Sequence, residues 1–409
     1  MPPAATAIAA PGPAPSSKEV WLISAGHALT HWYPATFYLL LPLIGKELGL
    51  SYTQIGFMMS VQHLVGAISN VPGGIFVDTV GRKGYLMALS LFWVGFPYAL
   101  MSLTHSYWML VACIVLVGIG NNLWHPTAIP TLAHRFPERK ALVLSFHGMG
   151  GNVGDACAPL VVGALLAVMS WRSAVVANVI PGLIASVLIL VSLRSIDYGA
   201  RKKEPGGSAA ANYLADLKTL LKNRPVLLIS TTGFFRTGTQ SALLTFLPVY
   251  LAYELGYNPF WVGAAMFAMQ VAGFVSAPIV GYFSDRVGRR SLMMGSMAAT
   301  GAVLLSMAFA GKSLLFIVLI AMLGFFMYAT RPVIQAWALE MTPKRMAGTT
   351  VGLLFSTQAA GAGVAPLLGG IIADRYGLFA AFYFLAATII VANLFVFLIP
   401  KDAEKTAAT

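Results

Sequence analysis

Read in windows of about 20 residues, the length that crosses a bilayer core as a helix, the chain is a series of long apolar runs broken by short polar turns. Twelve such spans emerge: 20–45, 52–77, 84–104, 107–133, 141–169 and 173–194, then 226–253, 259–284, 290–310, 313–340, 347–373 and 378–400. Barrel strands would be shorter and would alternate in polarity, so the pattern predicts helices. Several spans exceed the minimum, which predicts tilted or protruding helices rather than added domains. One longer polar interval, 195–225, separates six spans from six. The expected organisation is a disordered tail over 1–19, a six-helix bundle over 20–194, a linker over 195–225, a second six-helix bundle over 226–400 and a short tail over 401–409. The fold class is an all-α membrane protein with twelve transmembrane helices.

Composition agrees. The 409 residues are 58% hydrophobic and 10% charged, with a mean hydropathy of +0.77, whereas a soluble domain is about a quarter charged. The net charge of +12 would suit a nucleic-acid partner, but its distribution does not. With the N-terminus in the cytoplasm, cytoplasmic segments hold about 20 of the 26 Lys and Arg, the asymmetry of the positive-inside rule. The opposite loops hold only Lys46, Arg172, Lys312 and Arg375. Both termini are therefore expected in the cytoplasm, the basic excess faces anionic membrane lipid, and no nucleic acid is expected. Cys113 and Cys157 fall within spans, so neither a disulfide nor a cysteine-based zinc site is expected. Residues 1–17 lack the basic start and apolar run of a signal peptide. In the linker, NYLADLKTLLKN sets Leu214, Leu217, Leu220 and Leu221 on one helical face. A helix lying on the membrane surface and an ordinary solvated linker are both open readings.

The two halves repeat each other. GIFVDTVGRK, from Gly74, returns as GYFSDRVGRR, from Gly281, each copy at the end of an apolar run. Pro42 matches Pro248, Gly56 matches Gly263, His63 matches Gln270, and His125-Pro126 matches Arg331-Pro332. Duplicated bundles of this kind are a recognised construction for secondary transporters, with the substrate site near the midplane between the repeats. The doubled G-x-x-x-D-x-x-G-R-[KR] turn resembles the loops between helices 2–3 and 8–9 of the major facilitator superfamily. The first span, SAGHALTHWYPATFYLLLPLI, and the stretch SFHGMGGNVGDACAPLVVG resemble its fosmidomycin-resistance branch. That resemblance covers residues 20–400 and implies two pseudosymmetric bundles, alternating access, proton antiport, and a bacterial inner-membrane exporter of a phosphonate-like anion. It also implies that helices 1, 4, 7 and 10 line a central cavity.

Some residues do not belong in lipid. A charge at mid-helix depth costs roughly 2.5–3.5 kcal/mol, so such residues line cavities or pair. Asp155, Arg236 and Arg331 are of this kind. His27/His31, Asn121/His125, Arg236/Gln240 and Arg331/Gln335 are each spaced i, i+4 and share a helix face. These eight, on spans 1, 4, 7 and 10, are the expected substrate-binding residues. Two arginines make the cavity basic, and a guanidinium fork suits carboxylate or phosphate-like groups; a small anionic or zwitterionic substrate follows. An arginine that merely pairs with Asp155 or a carbonyl is the open alternative. Asp155 and Glu340 are the proton-coupling candidates, with histidine able to share the role. For Asp155 an ion-pair role, and for Glu340 a surface pair near Lys344 and Arg345, are the alternatives. Asp78 and Arg82, with Asp285 and Arg289, read as cytoplasmic gates or as topology signals. Trp32, Tyr33, Trp124 and Trp337 shape the cavity or simply pack.

No metal is expected: His27, His31, His63 and His125 are candidates, and an i, i+4 histidine pair can ligate a transition metal, but no Glu, Asp or Cys accompanies them at ligand spacing. No phosphate-binding G-x-x-x-x-G-K-[ST] loop occurs, so ATP is not the energy source and no cofactor is expected. No Ser/His or paired-carboxylate arrangement suggests an enzyme. The readings carried forward are anion export against inward protons, uptake or exchange of an organic anion such as a sugar phosphate or carboxylate, and a non-transporting sensor or scaffold. A monomer is expected.

Overall fold

A computed structural model describes residues 16–196 and 209–400. Among them fourteen α-helices follow in order: α1 (Ser17–Leu48), α2 (Tyr52–Val80), α3 (Lys83–Met101), α4 (Tyr107–Asn121), α5 (Trp124–Arg135), α6 (Lys140–Leu165), α7 (Trp171–Leu193), α8 (Ala209–Leu220), α9 (Arg224–Tyr253), α10 (Pro259–Val287), α11 (Arg289–Ala310), α12 (Leu314–Glu340), α13 (Ala347–Tyr376) and α14 (Leu378–Phe397). The terminal tails largely lie outside the described residues; α1 begins inside the expected 1–19 tail. α8 occupies the linker and packs on α13, with Leu220 buried against Val226 and Met346.

The fourth span is split. Asn122 donates through Nδ2 to the carbonyls of Gly66 and Gly118, at 2.6 and 2.9 Å, an alternative partner of the kind that weakens a helix interior. Pro126 then falls in the first turn of α5, where its missing N–H costs nothing. The matching Pro332 lies within an unbroken α12, where Met327 and Tyr328 replace the two asparagines.

Seven stretches suffice by length and composition alone to cross a membrane. Of the other five spans, α1, α2, α6, α9 and α11, three carry His27, Asp155 and Arg236. The packing is pseudosymmetric: α1–α6, α2–α4 and α3–α7 in the first half correspond to α9–α13, α10–α12 and α11–α14 in the second. Glycine sets the closest approaches. A Cβ at Gly154 would strike the Ala28 carbonyl, and one at its repeat mate Gly361 the Phe234 carbonyl. Across the halves, Gly56 meets the Pro366 backbone and its mate Gly263 the Pro159 backbone.

The halves join along α2–α13 and α6–α10 and less extensively along α1–α9. Their mutual hydrogen bonds are displaced away from the end carrying the basic turns. Tyr253 donates to the Pro42 carbonyl at 2.7 Å, and Leu367 N–H to Ser60 Oγ at 3.1 Å. Asp374 accepts from Tyr52 N–H and Thr53 N–H, both at 2.8 Å, placing a carboxylate on the positive end of α2. Its repeat counterpart is Ala167, so only one of the two seams carries this clamp. Glu47, just past the first span, accepts from Trp171 and Arg172; these hydrogen bonds hold its carboxyl below the usual carboxylate range. At the basic end the ion pairs Arg135–Glu19, Arg289–Asp285 and Arg289–Glu340 each stay within one half. Among the described residues, hydrogen bonds thus join the bundles at one end, while these ion pairs of the other end stay within a half.

Asp374→Ala forfeits two charge-assisted hydrogen bonds, each worth about 1.5–3 kcal/mol in a shielded setting and less at this exposed end. The expected result is a population shift on the order of tenfold toward separation of that end. Spin-label distances between Lys46→Cys and Lys312→Cys, in a background without Cys113 and Cys157, report it; an unchanged distribution contradicts the clamp.

Candidate functional site: a histidine–aspartate ladder facing arginine

The α1–α6 seam is where the first half concentrates its polar chemistry. On α6, His147, Gly151 and Asp155 recur at i, i+4 and i+8 and so share one face. On α1, His27 and His31 face them. Gly151 makes the room: a Cβ there would press on His27 Cε1 and His31 Nε2. His31 Nδ1 meets Asp155 Oδ2 at 2.9 Å, both side chains about a third exposed at 29% and 32%. His27 is buried, with Nδ1 at 2.5 Å from the His147 carbonyl and Nε2 at 3.0 Å from Nε2 of His125 on α5. The His27 and His147 rings stack at 3.9 Å. His147, which is not among the residues expected at the site, belongs to this cluster. The signal that could have found it is its four-residue spacing to Gly151 and then to Asp155.

In the second half the two arginines part company. Arg236 is 2% exposed and pinned to α12, donating to the Met327 carbonyl at 2.7 Å and to Thr330 Oγ1 at 3.1 Å. For this residue the alternative in which the arginine is tied to a carbonyl is the one realised. Arg331, on α12, is exposed, and its charge bears on His31, His125 and Arg236. The charge of Asp155 likewise bears on Tyr328 of α12. The charge on Arg331 of one half is therefore within electrostatic reach of the histidines of the other. Gln240 and Gln335 are half-buried beside it. Asn121 Oδ1, Gln62 Oε1, Gln270 Oε1 and the Tyr328 hydroxyl are buried with no protein partner among the described residues. His63, the repeat mate of Gln270, meets the Tyr38 hydroxyl at 3.1 Å.

Other expected residues sit elsewhere. The break after Asn121 means that Asn121 and His125 do not share one continuous helix. Glu340 pairs with Arg289 at 2.8 Å at the basic end, so a surface pair of the kind read as an alternative is present. Arg345 reaches Asp216 on α8 instead. Arg289 reaches only its own half, Arg82 lies over the Tyr85 ring, and the side chain of Asp78 is outside the described residues. Tyr33, Trp124 and Trp337 are fully buried packing residues, while Trp32 donates to Asn178 Oδ1 at 2.7 Å. The reason given for expecting no metal also changes: a carboxylate does adjoin the histidine pair, but from α6, where spacing along α1 cannot register it.

Comparison with known proteins now defines the class. The sequence profile of the Major Facilitator Superfamily matches residues 20–283 and 229–409, and the chain belongs to that family of membrane transporters. It is similar to the phosphoglycerate transporter protein of Salmonella typhimurium, at 24% identity over 90% of this chain and 85% of that one. It is also similar to the hexuronate transporter of Bacillus subtilis, at 26% over 84% and 85%, and to the fosmidomycin resistance protein of Escherichia coli, at 24% over 86% of each. The fosmidomycin-resistance branch is thus one of several it resembles. Among solved structures, a mutant of a nucleoside transporter superposes with a TM-score of 0.81 at 14% identity, covering 94% of this chain and 100% of that one. An inward-facing bacterial homologue of the lysosomal transporter Spinster gives 0.78 at 15% identity, covering 96% and 98%. These likenesses establish the fold.

The contrast between the arginines predicts different responses to lysine. Arg236→Lys cannot keep both bonds to α12 and should cost about 1.5–3 kcal/mol, seen as a lowered Tm in detergent. Arg331→Lys should leave Tm unchanged. Equal losses in the two variants would contradict this division.

Proposed function

We propose that the chain is a proton-coupled antiporter that exports a small anionic or zwitterionic compound across a bacterial inner membrane, with both termini in the cytoplasm. The observation that carries this reading is the charge of Arg331 in one bundle within electrostatic reach of the His31–Asp155 pair of the other. An anion entering between the bundles meets a guanidinium fork on one wall. On the other wall a proton can move between imidazole and carboxylate as the pocket fills or empties. Occupancy and protonation are then coupled through a single space, which is what exchange of a proton for a substrate requires. Arg236 sets the positive potential and holds α9 against α12, while Asn121, Gln240, Gln335 and His125 supply polar contacts. With the basic end cytoplasmic, the conformation is open inward. In the outward state Asp78, Arg82, Asp285 and Arg289 exchange partners within a half for partners across it.

A second reading, uptake or exchange of an organic anion, is favoured by the similarity to proteins named for phosphoglycerate and hexuronate transport. The same pocket serves both, since both cargoes are anions.

Proteoliposome flux under an imposed pH gradient, screened against phosphonates, sugar phosphates and carboxylates, tests the proposal. For a transported anion, Arg331→Gln is expected to raise KM at least tenfold. Asp155→Asn is expected to abolish response to the pH gradient while leaving substrate–substrate exchange. Gradient-driven flux that persists in Asp155→Asn refutes the coupling role. Right-side-out and inverted vesicles separate export from uptake.

A further inference from the structure

We propose that His27, His31 and His125 form a binding site for a divalent transition-metal ion of the zinc or cobalt type, with an anion completing its coordination. Their ligating nitrogens all lie within 4.8 Å of one another. The closest pair, His27 Nε2 and His125 Nε2, is 3.0 Å apart; bonds of about 2.0–2.1 Å to a tetrahedral ion require a separation of the same order. Three imidazoles with one position left open is an arrangement zinc uses when it also binds an exogenous ligand.

The outer contacts argue for the same use. His27 Nδ1 faces the carbonyl of His147, which can only accept, so that nitrogen carries the proton and Nε2 keeps its lone pair. His31 Nδ1 faces the Asp155 carboxylate, leaving Nε2 as the lone-pair nitrogen of the neutral ring. A second-sphere carbonyl and carboxylate are the usual partners of metal-bound histidines, fixing both tautomer and ring direction. His125 Nε2 lies opposite the His27 nitrogen and donates to it; to ligate an ion through Nε2 the ring takes its other neutral tautomer, with the proton on Nδ1. Two adjacent imidazole nitrogens directed at one another satisfy one hydrogen bond between them, whereas a metal engages both lone pairs.

Charge sets the fourth ligand. Arg331 bears on His31 and His125 from the other half and opposes a bare cation. Asp155 offsets part of that repulsion, and an anion in the open coordination position offsets more. The site thus takes the ion together with chloride, a carboxylate or a phosphate-like oxygen. Imidazole ligands favour zinc, cobalt, nickel or copper over magnesium or calcium.

The inference stands apart from the transport reading because binding is measured without flux. The full chain, purified in detergent without a polyhistidine tag and stripped with chelator, is titrated with Co2+ in chloride buffer. One equivalent with the visible absorption of a tetrahedral site, displaced by Zn2+, is expected. His27→Asn, His31→Asn and His125→Asn should each weaken binding at least 100-fold, and Asp155→Asn by about 10–100-fold through the second sphere. His105→Ala, at the joined end, should bind as the wild type does. X-ray absorption of the zinc-loaded wild type should show a first shell dominated by imidazole nitrogen, a readout independent of how the variants fold. No stoichiometric tetrahedral spectrum in the wild type, binding that survives all three asparagine replacements, or a zinc shell of thiolate or of water oxygens alone would overturn the proposal.

Discussion

An ionisable side chain at mid-membrane depth must find a partner or a polar space, and the interior of this chain is arranged around that requirement. Its answer is spatial. Asp155 finds His31, Arg236 finds the Met327 carbonyl and Thr330, and Arg331 stays exposed. None of these partnerships forms within one helix. Each depends on close approach between helices, and in the first half that approach rests on glycine. Gly154 brings α6 against α1, and Gly151 leaves room for two imidazole rings. Larger residues there would separate the seam and part Asp155 from His31.

The two halves share a plan but not a chemistry. The α9–α13 seam repeats the α1–α6 seam, with Gly361 in the place of Gly154. In the positions of His147, Gly151 and Asp155 it carries Leu354, Gln358 and Ala362. Gly233 then packs on Leu354 and Gln358 rather than on rings. Among the polar groups within the spans, the histidine–aspartate cluster therefore lies in one bundle and Arg236 and Arg331 in the other. A duplicated scaffold supplies matching walls, and divergence makes them electrically complementary. The same divergence marks the joined end, where Asp374 caps α2 while its counterpart is an alanine.

Much of this was legible beforehand. Hydropathy gave twelve spans because lipid forces every backbone polar group into a helix and excludes charge from its exposed face. The doubled basic turns and the offset prolines and glycines revealed the duplication. The i, i+4 spacings singled out His27, His31 and His125, which come together where α1 and α5 pack. What failed was any inference that joined different helices. His147 looked ordinary because its partners lie 120 residues away on α1. Asn121 and His125 looked like a pair because spacing presumes an unbroken helix, and Asn122 breaks it by bonding to Gly66.

The sequence by itself determined the spans, their duplication and the presence of costly polar groups, since these follow from local periodicity and the solvent the chain must inhabit. The tertiary structure alone decided which polar group meets which, that Arg236 is fastened to α12 while Arg331 stays exposed, and at which end the described hydrogen bonds join the halves. Those outcomes depend on how far apart whole helices stand, and that spacing is fixed by glycines and backbone contacts between segments remote in the chain.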